Sequence, residues 1–106
     1  MSSEGICTRA IHGGQTPDPA TGAILTPIYQ STTYVQQAVG VHKGFTYSRA
    51  QNPTVDALER SLGALEDAPP AVCFATGMAA ISTLCFALLK AGDHVVVGGL
   101  VHAGPI

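Results

Sequence analysis

The character of the chain changes at Asn52-Pro53, and that change limits the folds open to it more than any other feature. Before it, Gly13-Gly14, Pro17, Pro19, Gly22, Pro27, Gly40 and Gly44 recur so often that no long helix can run through. Short extended pieces fit at Ile28-Tyr29 and at Ser31-Thr32-Thr33-Tyr34-Val35. After it the residues become periodic. Asn is a good N-cap and Pro suits the first helical position. Val55, Leu58, Leu62 and Leu65 then follow at spacings of three and four, which predicts an amphipathic helix to about Glu66, stopped by Pro69-Pro70.

The remaining half alternates. Ala71-Val72-Cys73-Phe74-Ala75 is short, apolar and bounded by breakers, as a strand buried on both faces is. Met78, Ile81, Cys85 and Leu88 recur at helical spacing up to Lys90-Ala91-Gly92. His94-Val95-Val96-Val97 then reads as a second strand. Helix, strand, helix, strand with short links is the grammar of an α/β sheet. Residues 1–52 are therefore expected to form an extended arm, and residues 53–106 the beginning of an α/β domain.

Composition says what such a chain needs around it. Of 106 residues, 46% are hydrophobic and 11% charged, where a free-standing domain carries about 25% charged residues. Either a partner or further chain is expected to cover this surface. Five Lys and Arg against seven Asp and Glu give a net charge of −2, which excludes a nucleic-acid footprint. Cys7, Cys73 and Cys85 are odd in number and lack CxxC spacing, so a reducing cytoplasm is expected rather than a disulfide scaffold. The N-terminus lacks the basic and apolar regions of a secretion signal. Residues 70–89 carry no charge over about the length that spans a bilayer. A membrane-anchored peptide is one reading of that run. A strand, a turn and a buried helix explain it with less strain, because Thr76-Gly77 and Ser82-Thr83 interrupt it and aromatic anchors are missing.

Two places suit an anion. In Tyr47-Ser48-Arg49, an extended backbone would send side chains i and i+2 from one face, aiming a phenol and a guanidinium at one phosphate or carboxylate. The plain alternative is a Tyr and an Arg on a solvated strand edge. At Thr76-Gly77-Met78 a strand turns into a helix, whose first amides lack internal partners and carry the positive end of the dipole. Gly77 has no side chain to keep an anion away, and Thr76 can cap the helix or add a hydroxyl. Many buried helices begin with Thr-Gly and bind nothing. His12, His42, His94 and His102 have no metal-ligand spacing.

With these elements in place, the chain resembles the Cys/Met-metabolism family of pyridoxal-phosphate enzymes, from about Thr8 to Val97. The marks are Ala10-Ile11-His12-Gly13-Gly14, Gly22-Ala23, Pro27-Ile28-Tyr29, Tyr47-Ser48-Arg49 with Asn52-Pro53-Thr54, Leu58-Glu59, Leu65-Glu66, Thr76-Gly77-Met78-Ala79-Ala80 and Gly92-Asp93. The resemblance implies an α/β fold of the fold-type I, aspartate aminotransferase-like kind, with an N-terminal arm plus the start of the large PLP-binding domain. It implies that the amides of Gly77 and Met78 cradle the phosphate of pyridoxal 5'-phosphate. It also implies that Tyr47 and Arg49 reach the phosphate in the adjacent subunit of a homo-oligomer, a dimer of dimers. The activity implied is elimination or replacement on cystathionine or a homoserine ester. Sulfhydrylase and methionine γ-lyase branches, or a catalytically inactive phosphate-binding piece, are the alternatives. Asn52-Pro53-Thr54 is more similar to the γ-synthase and γ-lyase branches than to the bacterial β-lyases.

The sequence departs from the family after the valine-rich strand. Leu100-Val101-His102-Ala103-Gly104 stands where an acidic residue and Tyr-Gly-Gly-Thr are usual, placing His102 where the family has a ring-stacking tyrosine. The only lysines, Lys43 and Lys90, lie outside the family's Schiff-base motif. The chain is thus expected to be an N-terminal piece, inactive and poorly soluble by itself.

Overall fold

The computed structural model describes residues 5–99. Among these residues lie three helices, α1 (Ile6–His12), α2 (Pro53–Leu65) and α3 (Gly77–Leu88). The chain divides into two compact units at Val72–Cys73.

In the first unit, α2 begins where the sequence predicts. Asn52 is extended, and its side-chain oxygen accepts the Thr54 N–H at 2.8 Å, with Pro53 in the first turn. Its end falls within a residue of the expected Glu66, which is the C-cap. The helix stops at Leu65, before the two prolines, in a turn where Ala68 N–H donates to Gly63 O and Asp67 N–H to Ala64 O. That is a Schellman closure, and it puts Asp67 in the left-handed region with φ 52°. A short polar side chain tolerates that conformation better than most. The Asp67 carboxylate also accepts from Arg9 Nη1 at 2.8 Å, tying the turn to α1.

Helix α1 lies within the segment expected to be irregular, and it packs on α2. Two turns are too short to show a periodicity, and a helix of this length depends on packing more than on propensity. Arg9 and His12 sit in its last turn, where cations favour the dipole. Gly13 N–H closes the helix on Arg9 O at 2.8 Å. Gly14 then takes φ 68°, and a Cβ there would lie 2.4 Å from the Arg60 carbonyl oxygen, so only glycine lets the two backbones approach. Beyond α2 the chain doubles back. Ala71 N–H donates to Glu59 O at 2.9 Å, and the Pro69 carbonyl lies where a Cβ on Gly63 would go.

In the second unit Thr76 caps α3, its hydroxyl accepting the Ala79 N–H at 3.1 Å. The strands expected at 71–75 and 94–97 do not form a sheet. Pairing among the described residues is limited to two isolated antiparallel bridges, Thr33 with Tyr47 and Ala38 with Val41. An apolar run specifies that a segment can be a strand; the ladder needs a second segment, which none of the described residues supplies.

The described residues likewise bury no hydrophobic side chain. Leu58 is 52% exposed, Ile81 42% and Phe86 85%. The predicted apolar faces exist as faces without a cover, which is the condition the composition pointed to. No helix among the described residues is long and apolar enough to cross a membrane. Helix α3, at 12 residues, rises only about 18 Å of the roughly 30 Å needed.

Candidate functional site: two candidate anion-binding elements

Tyr47 and Arg49 meet as predicted, by a different backbone route. Tyr47 is bridged to Thr33, with Tyr34 N–H donating to Thr46 O at 3.1 Å and Ser48 N–H to Thr32 O at 2.8 Å. The chain then turns instead of running on extended: Ala50 and Gln51 N–H both donate to Tyr47 O at 3.0 Å. This turn folds Arg49 back over its neighbour. Its Nη2 donates to Tyr47 Oη at 2.9 Å, and the guanidinium carbon lies 5.1 Å from the ring centre. Because the phenol oxygen accepts from Arg49, its own proton stays free to donate outward.

Charge pairing singles out this arginine. Arg9 pairs with Asp67 at 2.8 Å and Arg60 with Asp56 at 2.9 Å, whereas no carboxylate lies within ion-pair distance of Arg49 among the described residues. An exposed guanidinium with spare donors, beside a phenol with a free proton, fits a phosphate.

Gly77 and Met78 occupy the first turn of α3 in the second unit. Thr76 satisfies Ala79 through its hydroxyl and Ala80 through its carbonyl. The Gly77 and Met78 amides are left without an acceptor inside the helix. A Cβ on Gly77 would meet nothing within 4 Å, so the space beside that amide is open. This donor set also fits a phosphate oxygen. His102 lies outside the described residues. No group of His, Cys, Asp or Glu among the described residues could hold a metal.

A polar network that the sequence reading passed over supports the first element. Asn52, read as a helix cap, also donates through Nδ2 to Tyr29 O and Ser48 Oγ, each at 3.1 Å. Thr54 Oγ1 accepts the Tyr29 N–H at 2.8 Å. The Tyr29 hydroxyl in turn donates to Asp18 Oδ1 at 3.3 Å. Asp18 is buried, and its other oxygen accepts the Thr21 hydroxyl at 2.6 Å and the Thr21 N–H at 2.9 Å. The Thr21 bonds hold the Asp18 carboxyl below its ordinary 3.8. Burial, with the Asp18 charge close by, pushes the Tyr29 phenol above 10.0. Asp18-x-x-Thr21 ahead of a glycine was the available signal, that of a turn closed by an acidic side chain. Asp18 and Tyr29, with Lys43, Phe45, Asp56 and Arg60, line part of an open cleft of about 480 Å³. Tyr47 and Arg49 lie outside its lining.

A paired donor set at a turn in one unit and open amides at a helix start in the other are each of a kind that can receive an anionic oxygen. The sequence model of the Cys/Met metabolism PLP-dependent enzymes matches residues 7–105, and the chain belongs to that family, whose cofactor is pyridoxal 5'-phosphate. It is 53% identical over 100 residues to a probable cystathionine gamma-synthase of Herpetosiphon aurantiacus, covering 94% of this chain and 31% of that protein. It is 54% identical over 99 residues to the cystathionine beta-lyase of Coxiella burnetii, covering 93% and 25%. Its fold matches the crystal structure of cystathionine gamma-lyase from Lactobacillus plantarum complexed with L-serine, at TM-score 0.84 and 41% identity, over 96% of this chain and 26% of that one. The chain thus spans a quarter to a third of the proteins it matches. Proteins carrying synthase, β-lyase and γ-lyase names are all close to it, so similarity does not separate the branches.

Proposed function

We infer that the chain forms the N-terminal, phosphate-gripping part of a pyridoxal-phosphate enzyme of trans-sulfuration, acting on cystathionine or a homoserine ester by elimination or replacement in the side chain. The observation that carries this reading is Arg49: it has no carboxylate partner among the described residues, and it is seated on the Tyr47 phenol. Membership of the family and the names of its close relatives supply the chemistry.

In this reading residues 1–52 are an arm reaching a neighbouring subunit of a cytoplasmic homo-oligomer, and residues 53–106 begin the cofactor domain. The Gly77 and Met78 amides donate to a phosphate oxygen at the start of α3, where the helix dipole adds to their attraction. Arg49 and Tyr47 donate to the phosphate of the neighbouring site. These residues bind and orient; none of them breaks a bond of the substrate. Once bound, the cofactor supplies the electron-accepting ring that stabilises charge at the substrate's α carbon. Lys43 and Lys90 lie outside the family's Schiff-base motif, so the 106 residues alone are inactive in this reading.

The test is the affinity of the full-length apoprotein for pyridoxal phosphate, followed by the absorbance of the bound cofactor. Hydrogen bonds to charged groups are worth about 1.5–3 kcal/mol, so Arg49→Ala should raise the dissociation constant about 10- to 100-fold. An unchanged constant refutes the assignment.

A further inference from the structure

We propose that Asn52 is a positioning residue for the Tyr47–Arg49 pair, a role that rests on the phosphate-binding reading of that pair. Its two side-chain atoms do separate jobs. Oδ1 accepts the Thr54 N–H at 2.8 Å and caps α2. Serine, threonine or aspartate would cap as well, so capping does not account for the amide nitrogen. Nδ2 carries two protons and faces Tyr29 O at 3.1 Å, Ser48 Oγ at 3.1 Å and, more distantly, Tyr34 Oη at 3.4 Å.

Ser48 is the residue between the pair. Its N–H donates to Thr32 O at 2.8 Å and its hydroxyl donates to Ser31 O, which leaves the hydroxyl oxygen to accept from Asn52. The bonds run in one direction, from Asn52 Nδ2 to Ser48 Oγ to the Ser31 carbonyl. They join the start of a helix, the turn that bears Arg49 and the segment bridged to Tyr47. Arg49 itself is exposed, and among the described residues its side chain is held by Tyr47 alone. A long exposed side chain loses rotamer freedom when it grips a ligand. Fixing the backbone beneath it reduces what else must be ordered at that moment. Asn52 thereby couples the helix cap to cofactor grip without touching the cofactor.

Two substitutions in the full-length apoprotein test this. Asn52→Ser keeps a capping oxygen and removes the amide donor; Ser48→Ala removes the middle link and leaves the cap alone. Each should raise the dissociation constant for pyridoxal phosphate about 5- to 10-fold, while the thermal midpoint of the apoprotein stays close to that of the parent. In an Arg49→Ala background either change should add less than about twofold, because the group being positioned is gone. A purely structural role would lower the midpoint and keep its effect on affinity in that background; this result overturns the proposal. Unchanged affinity in both variants, with Arg49→Ala still weakened, overturns the positioning role and leaves the phosphate reading standing. If Arg49→Ala itself has no effect, both fall. Should Asn52→Ser fail to fold, Ser48→Ala and its Arg49→Ala double variant decide alone.

Discussion

Gly14 and Gly22 share a left-handed backbone, φ 68° and 72°, and differ in what surrounds them. Alanine at Gly22 would meet nothing within 4 Å, so Gly22→Ala costs only the conformational preference, about 1–2 kcal/mol. At Gly14 the added carbon would sit 2.4 Å from Arg60 O, 2.6 Å from Arg60 C and 3.0 Å from Ser61 N. All three are backbone atoms of α2, which cannot swing aside as a flexible side chain can. Overpacking of this kind adds about 1–3 kcal/mol, relieved by lifting α1 from α2. The two variants therefore share one term and differ in the other. Limited trypsinolysis under native conditions reads the difference, because Arg9 lies in α1 and cleavage there requires α1 to open. In the regime where opening is fast, the rate follows the open population, so Gly14→Ala should be cut after Arg9 about 5- to 100-fold faster than Gly22→Ala. Equal rates would show that the close approach of Gly14 to α2 does not hold α1, and the packing argument would fail.

The Asp18 clasp should show itself in pH dependence. A carboxyl held below 3.8 when folded contributes stability that is present above about pH 4 and lost as pH falls through the folded value. The midpoint difference between the parent and Asp18→Asn should shrink below about pH 4; a constant difference argues against the clasp. A phenol raised above 10.0 contributes stability present below pH 10 and lost above it, so Tyr29→Phe should flatten the alkaline limb, and should also weaken the acid limb in part because the Tyr29 hydroxyl helps hold Asp18 low. At the second element, Thr76→Ala should cost about 1 kcal/mol of stability through the lost cap, and Thr76→Ser should restore it, as checked by thermal midpoints.

The helices were largely legible in the sequence because their signals are local. Asn52-Pro53 and Thr76-Gly77 lie beside the turns they cap, and both caps form; of the two roles open to Thr76, its hydroxyl takes the cap. The end of α2 was legible in position but not in cause, since the prolines that announce a stop lie downstream of the Asp67 turn that makes it. Helix α1 escaped notice because seven residues held by packing carry no period of their own.

The strands show the opposite limit. A β-branched run is a property of one segment, whereas a ladder is a property of two, and no local pattern names the second. The Tyr47–Arg49 pair falls between these cases. Its residue types were readable, and the two side chains do meet, but through a turn and not through the pleat of a strand. What secures that turn comes from 17 residues before Ser48 and, for Asn52, from Tyr29, 23 residues away. Contacts at that range leave no periodic trace, so an asparagine doing two jobs reads in sequence as an asparagine doing one. The candidate site is most legible where a side chain offers donors outward and least legible where it must hold another in place.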